Sequence, residues 1–255
     1  SLLRTTLTAG IACIAALILT APTAAQAEGG WFGSKTVTGS GTVASQVRAV
    51  ADFQAIQVSG PFKVIVRQTG REVVEVRADD NLLPLLETVV APSATGGRTL
   101  QVRWKRGETI RTRSAATVTV EVAQLTALAS QGSGELLVES LKTPRLSLSL
   151  SGSGDARLEA LTADRLDLSI AGSGDVRAAG QAEQLKVSVA GSGDIRALDL
   201  RAAEVAVSIA GSGDVAVHAD KTLDVSIAGS GDVVYRGGAA LKSRIAGSGS
   251  VTERR

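Results

Sequence analysis

The phrase Gly-Ser-Gly, followed in most copies by Asp, returns seven times in the C-terminal half of this chain, beginning at Gly132, Gly152, Gly172, Gly191, Gly211, Gly229 and Gly247. The intervals are 20, 20, 19, 20, 18 and 18 residues. A fixed period of this length is the signature of a solenoid, in which each unit buries its apolar face against the next. Each copy is flanked by alternation. In Val205-Ala206-Val207-Ser208-Ile209-Ala210 the odd positions are β-branched and are expected to point inward, as the period of two in a strand requires. After the turn, Asp214-Val215-Ala216-Val217 resumes the alternation, and His218-Ala219-Asp220-Lys221 is expected to form a second corner. Each repeat therefore reads as two strands and two corners. The corner glycines are assigned structural roles: Gly132, Gly134, Gly152, Gly154, Gly172, Gly174, Gly191, Gly193, Gly211, Gly213, Gly229, Gly231, Gly247 and Gly249. They supply backbone angles that a Cβ would resist and allow one corner to sit close on the next. The expected fold is all-β, a single-stranded parallel β-helix with about 18–20 residues per coil. At a strand spacing of about 4.8 Å, seven coils span roughly 30 Å.

Composition fits that interior. Apolar residues make up 44% of the 255 residues and aromatics only 2%, so the core must be built from Val, Leu, Ile and Ala. The net charge of +2 gives no global pull toward nucleic acid.

Four segments follow from the chain in order. Residues 1–27 read as a signal peptide: Arg4 provides a short basic region, Ala9 to Leu19 an apolar stretch, and Ala25-Gln26-Ala27 a small-x-small cleavage pattern. The apolar run is shorter than the about twenty residues a spanning helix needs. The single cysteine, Cys13, lies in that segment, so thiol and disulfide chemistry are not expected in the mature chain. Residues 28–46 are a Gly/Ser/Thr-rich tether carrying Trp31 and Phe32. Residues 47–125 are the irregular half of the β-helix domain, expected to begin the solenoid and cover its first coil. Within it Phe53 to Val58 and Phe62 to Arg67 form strands around Ser59-Gly60-Pro61, and Asp79-Asp80-Asn81 caps a short helical turn limited by Pro84. Residues 126–255 are the regular half.

The arch from Phe53 to Gln68, the block Ala78-Asp79-Asp80-Asn81-Leu82-Leu83 with Thr88 and Val89 after it, and the Gly-Ser-Gly-Asp series together resemble the auto-transporter adhesin head or GIN domain family of bacteria. The resemblance covers about Val47 to Val251. It implies a right-handed parallel β-helix whose Gly-Ser-Gly turns join the sheets. It also implies likeness in fold to pectin lyases and left-handed acyltransferase helices without their catalytic residues, and a role in cell adhesion. An autotransporter also needs a membrane barrel of amphipathic strands about ten residues long. Residues 247–255 carry no such pattern, so the periplasm is expected at least as readily as the cell surface.

Four sets of residues are candidates for function. The first is the series Asp155, Asp175, Asp194, Asp214 and Asp232, one per coil, which invites a cation. The spacing differs from the nine-residue calcium β-roll unit, and Arg157, Arg177 and Arg196 are placed to neutralise the first three acids. The expected role is turn hydrogen bonding and pairing with Arg. Any Ca²⁺ site should lie at Asp214 and Asp232, where Ala216 and Val234 replace Arg. The second set is Ser149, Ser169, Ser188, Ser208 and Ser226, each three residues before its Gly, forming an outward ladder on a flat face that could lie against a protein or glycan. An aromatic sugar platform is not interleaved there. The third is a basic loop, Arg98, Arg103, Lys105, Arg106, Arg111 and Arg113, opposed only by Glu108 and suited to anionic glycans, headgroups or an acidic protein. The fourth is His218, the only histidine, expected to be an exposed corner residue. Gly-Ser-Gly is not a nucleophile elbow, and the count of His and Cys excludes their metal clusters.

The expected function is therefore non-catalytic, with no cofactor: an exported binding module of adhesin type, in the periplasm or at the surface, that presents flat faces to an envelope or host protein or polysaccharide. One alternative is a polysaccharide lyase using Asp214, Asp232, an Arg and Ca²⁺, and another is a periplasmic structural protein that self-associates through its flat face. Neither nucleic acid nor a membrane-spanning segment in the mature chain is expected.

Overall fold

The computed structural model describes residues 35–93 and 96–254. The signal segment, Trp31 and Phe32 lie outside the described residues. The irregular half contributes β1 (Lys35–Thr38), β2 (Val43–Arg48), β3 (Ala55–Ser59), β4 (Lys63–Gln68), β5 (Val73–Asp79), β6 (Leu86–Pro92), β7 (Arg98–Trp104), β8 (Glu108–Arg111) and β9 (Thr117–Val122). A 3₁₀ turn at Asp80–Leu85 separates β5 from β6. The regular half contributes β10 (Ala127–Gly132), β11 (Glu135–Val138), β12 (Leu141–Gly152), β13 (Asp155–Gly172), β14 (Val176–Gly191) and β15 (Ile195–Gly211). It closes with β16 (Val215–Gly229), β17 (Val233–Arg236), β18 (Ala240–Gly247) and β19 (Val251–Glu253). The fold is all-β, with parallel coils stacked as a β-solenoid.

Register in the regular half follows the repeat. Leu150, Ile170, Val189, Ile209 and Ile227 lie directly over one another in neighbouring coils. All five are buried. Each such aliphatic side chain is worth about 1.5–3 kcal/mol of gross burial, so the columns hold the coils together without aromatics. One column contains an exception, Ser130, stacked between Val58 and Leu150. Its hydroxyl is buried and finds no hydrogen-bond partner.

The reading of two strands per coil needs correction. A third inward-facing segment runs Leu141-Lys142-Thr143, Leu161-Thr162-Ala163, Gly180-Gln181-Ala182 and Leu200-Arg201-Ala202 in successive coils. His218 and Ala219, expected as a corner, continue it as part of β16, paired with Arg201 and Ala202. Ala219 is buried, and the His218 side chain is only 17% exposed beside Asp220 at 3.3 Å, so it is not an exposed corner residue. The segment is short and its second inward position is only Thr or Ala, so the alternation that marks a strand is weak there despite Leu141, Leu161 and Leu200.

The irregular half stacks out of chain order. β3 and β4 pair with β10 and β11 on one side and with β7 and β9 on the other. The chain thus lays down an inner coil first, steps outward to make the terminal coil, then returns across the first coil, with the Thr126 N–H bonded to the Gln54 carbonyl at 2.8 Å. The outer end is closed by antiparallel strands: β5 on β9, β2 on β5, and β6 on β7. Reversing direction at the last layer ends the parallel stack there and covers its apolar side chains. Phe62 and Trp104 meet there with ring centroids 5.1 Å apart.

The expected tether extends less far than its composition implied. From Lys35 onward it is strand: β1 pairs with β8, and β2 with β5. Gly39 and Gly41 sit between those strands because the chain must bend tightly around the buried Asp79 carboxylate. A composition rich in Gly, Ser and Thr reads as linker when the pairing partners lie many residues away.

Candidate functional site

The corner is built from two glycines, both pressed against the coil below, of which the first also needs a special backbone angle. The first of each pair has a positive φ, between +121° and +143° from Gly132 to Gly247. The second, such as Gly213, lies so close to the coil below that a Cβ would stand 2.2 Å from the Gly193 carbonyl oxygen. The serine between them donates its N–H to the first glycine of the preceding coil, as from Ser212 to Gly191 at 2.9 Å. Corners therefore stack backbone on backbone.

The aspartates that follow form a ladder of a specific kind. The Oδ1 of Asp155, Asp175, Asp194 and Asp214 accepts the backbone N–H of the next aspartate at 3.1, 3.3, 3.0 and 2.9 Å. Asp232 accepts both the N–H and the hydroxyl of Ser250 at 2.8 Å. Each carboxylate thus satisfies a donor that the corner geometry turns away from the regular strand pairing. This answers how five stacked acids coexist: each charge is met by an oriented N–H. Arg196 adds countercharge by bridging Asp175 at 3.4 Å and Asp194 at 3.2 Å. Arg157 and Arg177 lie in register below Arg196, lining the same shallow groove, and neither forms an ion pair within 4 Å of a described acid. Asp214 and Asp232 carry the same ladder contacts as the others. Among the described residues no group of three or more His, Cys, Asp or Glu is disposed to hold a metal ion.

Those contacts give a testable distinction. Asp194→Ala, which leaves the exposed Asp214 N–H to water, should cost about 0.5–1.5 kcal/mol, whereas Asp194→Asn, which keeps an acceptor oxygen, should cost less. Urea unfolding of both variants, with and without millimolar Ca²⁺, is the measurement. A Ca²⁺-dependent midpoint that either substitution abolishes would replace the ladder reading with a cation site.

The serine face is a register fact. Ser149, Ser169, Ser188, Ser208 and Ser226 occupy one column over five coils. The adjoining outward column is Ser151, Ala171, Ala190, Ala210 and Ala228, so two side-by-side rows carry nothing larger than a hydroxymethyl group. Charge rims these rows on one side. Arg145 and Arg165 both reach Asp167, at 3.3 and 3.1 Å, and Lys186 and Asp224 flank Ala206 across a shallow depression of about 300 Å³. The alanine row is not among the candidate sets drawn from the sequence, although the period of two puts its residues outward beside the serines.

The six basic residues do not form one loop. Arg98 and Arg103 lie on β7, about 17 Å apart along an extended strand; Arg103 binds Glu87 at 2.9 Å, and Arg98 lies 3.5 Å from Asp52. Lys105 and Arg106 are exposed at the β7–β8 turn, Arg111 ends β8, and Arg113 follows it, giving its N–H to Asp79. Glu87 and Asp52 are distant in sequence, so the pattern opposed only by Glu108 was a local count that pairing corrected.

A stack of β-coils with a flat polar face and a backbone-stacked corner defines a solenoid scaffold that presents surfaces. Residues 52–239 match the family described as "Putative auto-transporter adhesin, head GIN domain", and the chain belongs to that family. Among curated proteins none matches. Solved structures do. A "putative adhesin" from Bacteroides fragilis is 24% identical with a TM-score of 0.77, over 86% of this chain and 100% of that one. A "putative adhesin" from Parabacteroides distasonis is 27% identical with a TM-score of 0.70, over 86% and 100%. A "Putative lipid binding protein" from the same species is 26% identical with a TM-score of 0.71, over 87% and 100%. No helix among the described residues is long and apolar enough to cross a membrane.

Proposed function

We propose that this protein is an exported, non-catalytic binding module of adhesin type, in the periplasm or at the cell surface, whose serine–alanine face lies against an extended polysaccharide or a flat protein surface. The observation that carries this reading is the pair of small-residue columns held in register over five coils. A rigid sheet of hydroxyls and methyls loses little side-chain entropy on contact, so a long ligand can gain many weak contacts at low ordering cost. The lyase alternative is less well supported, because the Oδ1 atoms of Asp214 and Asp232 are engaged by the next coil. The lipid-binding name of one neighbour is not the favoured guide either: the depression on this face is shallow and rimmed by Arg165, Lys186 and Asp224.

The test is retention of the purified protein on immobilised envelope polysaccharides and host mucin, beside a Ser188→Arg/Ser208→Arg variant. Both positions point outward, so the fold should persist. Retention of the parent, reduced at least tenfold by the double substitution, is expected. Equal retention of both, or none by the parent on any surface, sinks the reading, as would cation-dependent release of unsaturated sugar.

A further inference from the structure

The two ends of the stack are finished differently. At the outer end antiparallel strands close the solenoid; at the other, β18 pairs with β16 and β19 with β17, and among the described residues neither has a coil on its far side. Leu241 and Ile245 stand in register on Leu223 and Ile227 and so occupy inward positions. They are 41% and 43% exposed, against 1% for the residues beneath them. Every residue of β18 is exposed.

The backbone is equally open. The Gly229 carbonyl accepts the Ser248 N–H at 3.0 Å, and the Val233 N–H donates to the Ser250 carbonyl at 2.8 Å. Their counterparts one coil later, the Gly247 carbonyl and the Val251 N–H, meet no further coil among the described residues. Both outward positions become basic here. Lys242 stands over Asp224 and Arg244 over Ser226, whereas Ser243 replaces a valine between them.

We propose that this end is an acceptor site for an extended acidic segment of a partner protein, which adds to β18 as one more parallel strand. A row of open N–H and C=O groups recognises a strand, and alternate side chains set which strand. Apolar residues of the incoming segment cover Leu241 and Ile245, a small residue lies over Ser243, and two acids lie beside Lys242 and Arg244. The complementary pattern is apolar–acidic–small–acidic–apolar. A second copy docking through the same end would set Lys242 and Arg244 of each chain against those of the other, which disfavours self-pairing.

The probe is a fluorescent peptide, Thr-Leu-Asp-Ala-Asp-Ile-Ala-Gly, built on the residue 222–229 segment with Ala at the Val225 position and a second acid at the Ser226 position, beside a control with Lys at both Asp positions. Anisotropy with the full chain should show saturable binding of the acidic peptide and at least tenfold weaker binding of the control. The exposed double change Lys242→Glu/Arg244→Glu should reverse that preference while leaving the thermal midpoint within about 2 °C. Equal binding of both peptides, or none, overturns the proposal. So does a scattering mass that rises with protein concentration and falls back in Leu241→Asp, which would assign the end to a second copy. Sedimentation with phosphatidylglycerol vesicles in the absence of peptide binding would assign it to a lipid surface.

Discussion

Gly191→Ala is expected to destabilise the protein by on the order of 4 kcal/mol, lowering its thermal midpoint by roughly 10 °C. Two costs combine. Gly191 has φ +133°, a conformation essentially closed to residues with a side chain. A Cβ there would also stand 2.3 Å from the Gly172 carbonyl oxygen and 3.2 Å from its nitrogen. Because those atoms are backbone, no rotamer change relieves the contact. The coils must separate, weakening the Ser192 N–H bond to the Gly172 carbonyl, 2.9 Å long, and its successor from Ser212 to Gly191. Gly107→Ala separates the two costs: φ is +88° there, but nothing lies within 4 Å of the added carbon. That variant should lose only about 1–2 kcal/mol from backbone strain. Urea titration of both decides it, and equal losses would refute stacking as the reason for glycine at the corner.

Asp79→Asn is expected to lower the thermal midpoint at neutral pH by roughly 5 °C and to flatten the acid limb of the stability profile. Asp79 is fully buried where β2, β5 and the segment after β8 converge. Its Oδ2 accepts the Arg113 N–H at 3.0 Å. That bond holds the carboxyl below the usual carboxylate range; burial opposes it, and Ser114 and the Gly41 N–H reinforce it. The sign follows directly. A folded-state pKa below the unfolded value of about 3.9 means that the contribution is complete above about pH 4 and is lost as pH falls through the folded value. Asparagine has no such proton, so the difference between parent and variant should shrink toward low pH. Glu139, held below its ordinary range by the Arg67 guanidinium at 2.8 Å, titrates in the same direction and remains in both proteins. Thermal melts from pH 2.5 to 7 test this. A pH-independent difference would mean that Asp79 acts through shape rather than charge. Gly39 belongs to the same arrangement, since a Cβ there would lie 1.8 Å from the Asp79 carboxylate.

The repeats were legible because the same short-range rules recur: alternation names the inward column, and glycine marks the corner. The Asp residues were placed correctly after each turn, yet their contact with the next coil's N–H was not foreseeable, because it spans 18–20 residues and depends on coil height. The arginines show the limit from the other side. A uniform spacing suggested that Arg157, Arg177 and Arg196 all neutralise the ladder, but within 4 Å only Arg196 reaches its acids. Long side chains choose partners by local room, which periodicity does not record.

What the sequence by itself determined was the stacking period, the inward columns of the two strands that flank each Gly-Ser-Gly corner, and the family, since each rests on a short pattern that recurs along the chain. Tertiary structure alone decided three things: that 98–122 is the terminal coil although it follows 55–68, that antiparallel strands close that end, and that among the described residues nothing covers Leu241 and Ile245 of β18 at the other. The reason is physical. Which strand edge meets which is settled by pairing between residues far apart in the chain, and an edge strand carries the same alternating pattern whether or not a neighbour covers it.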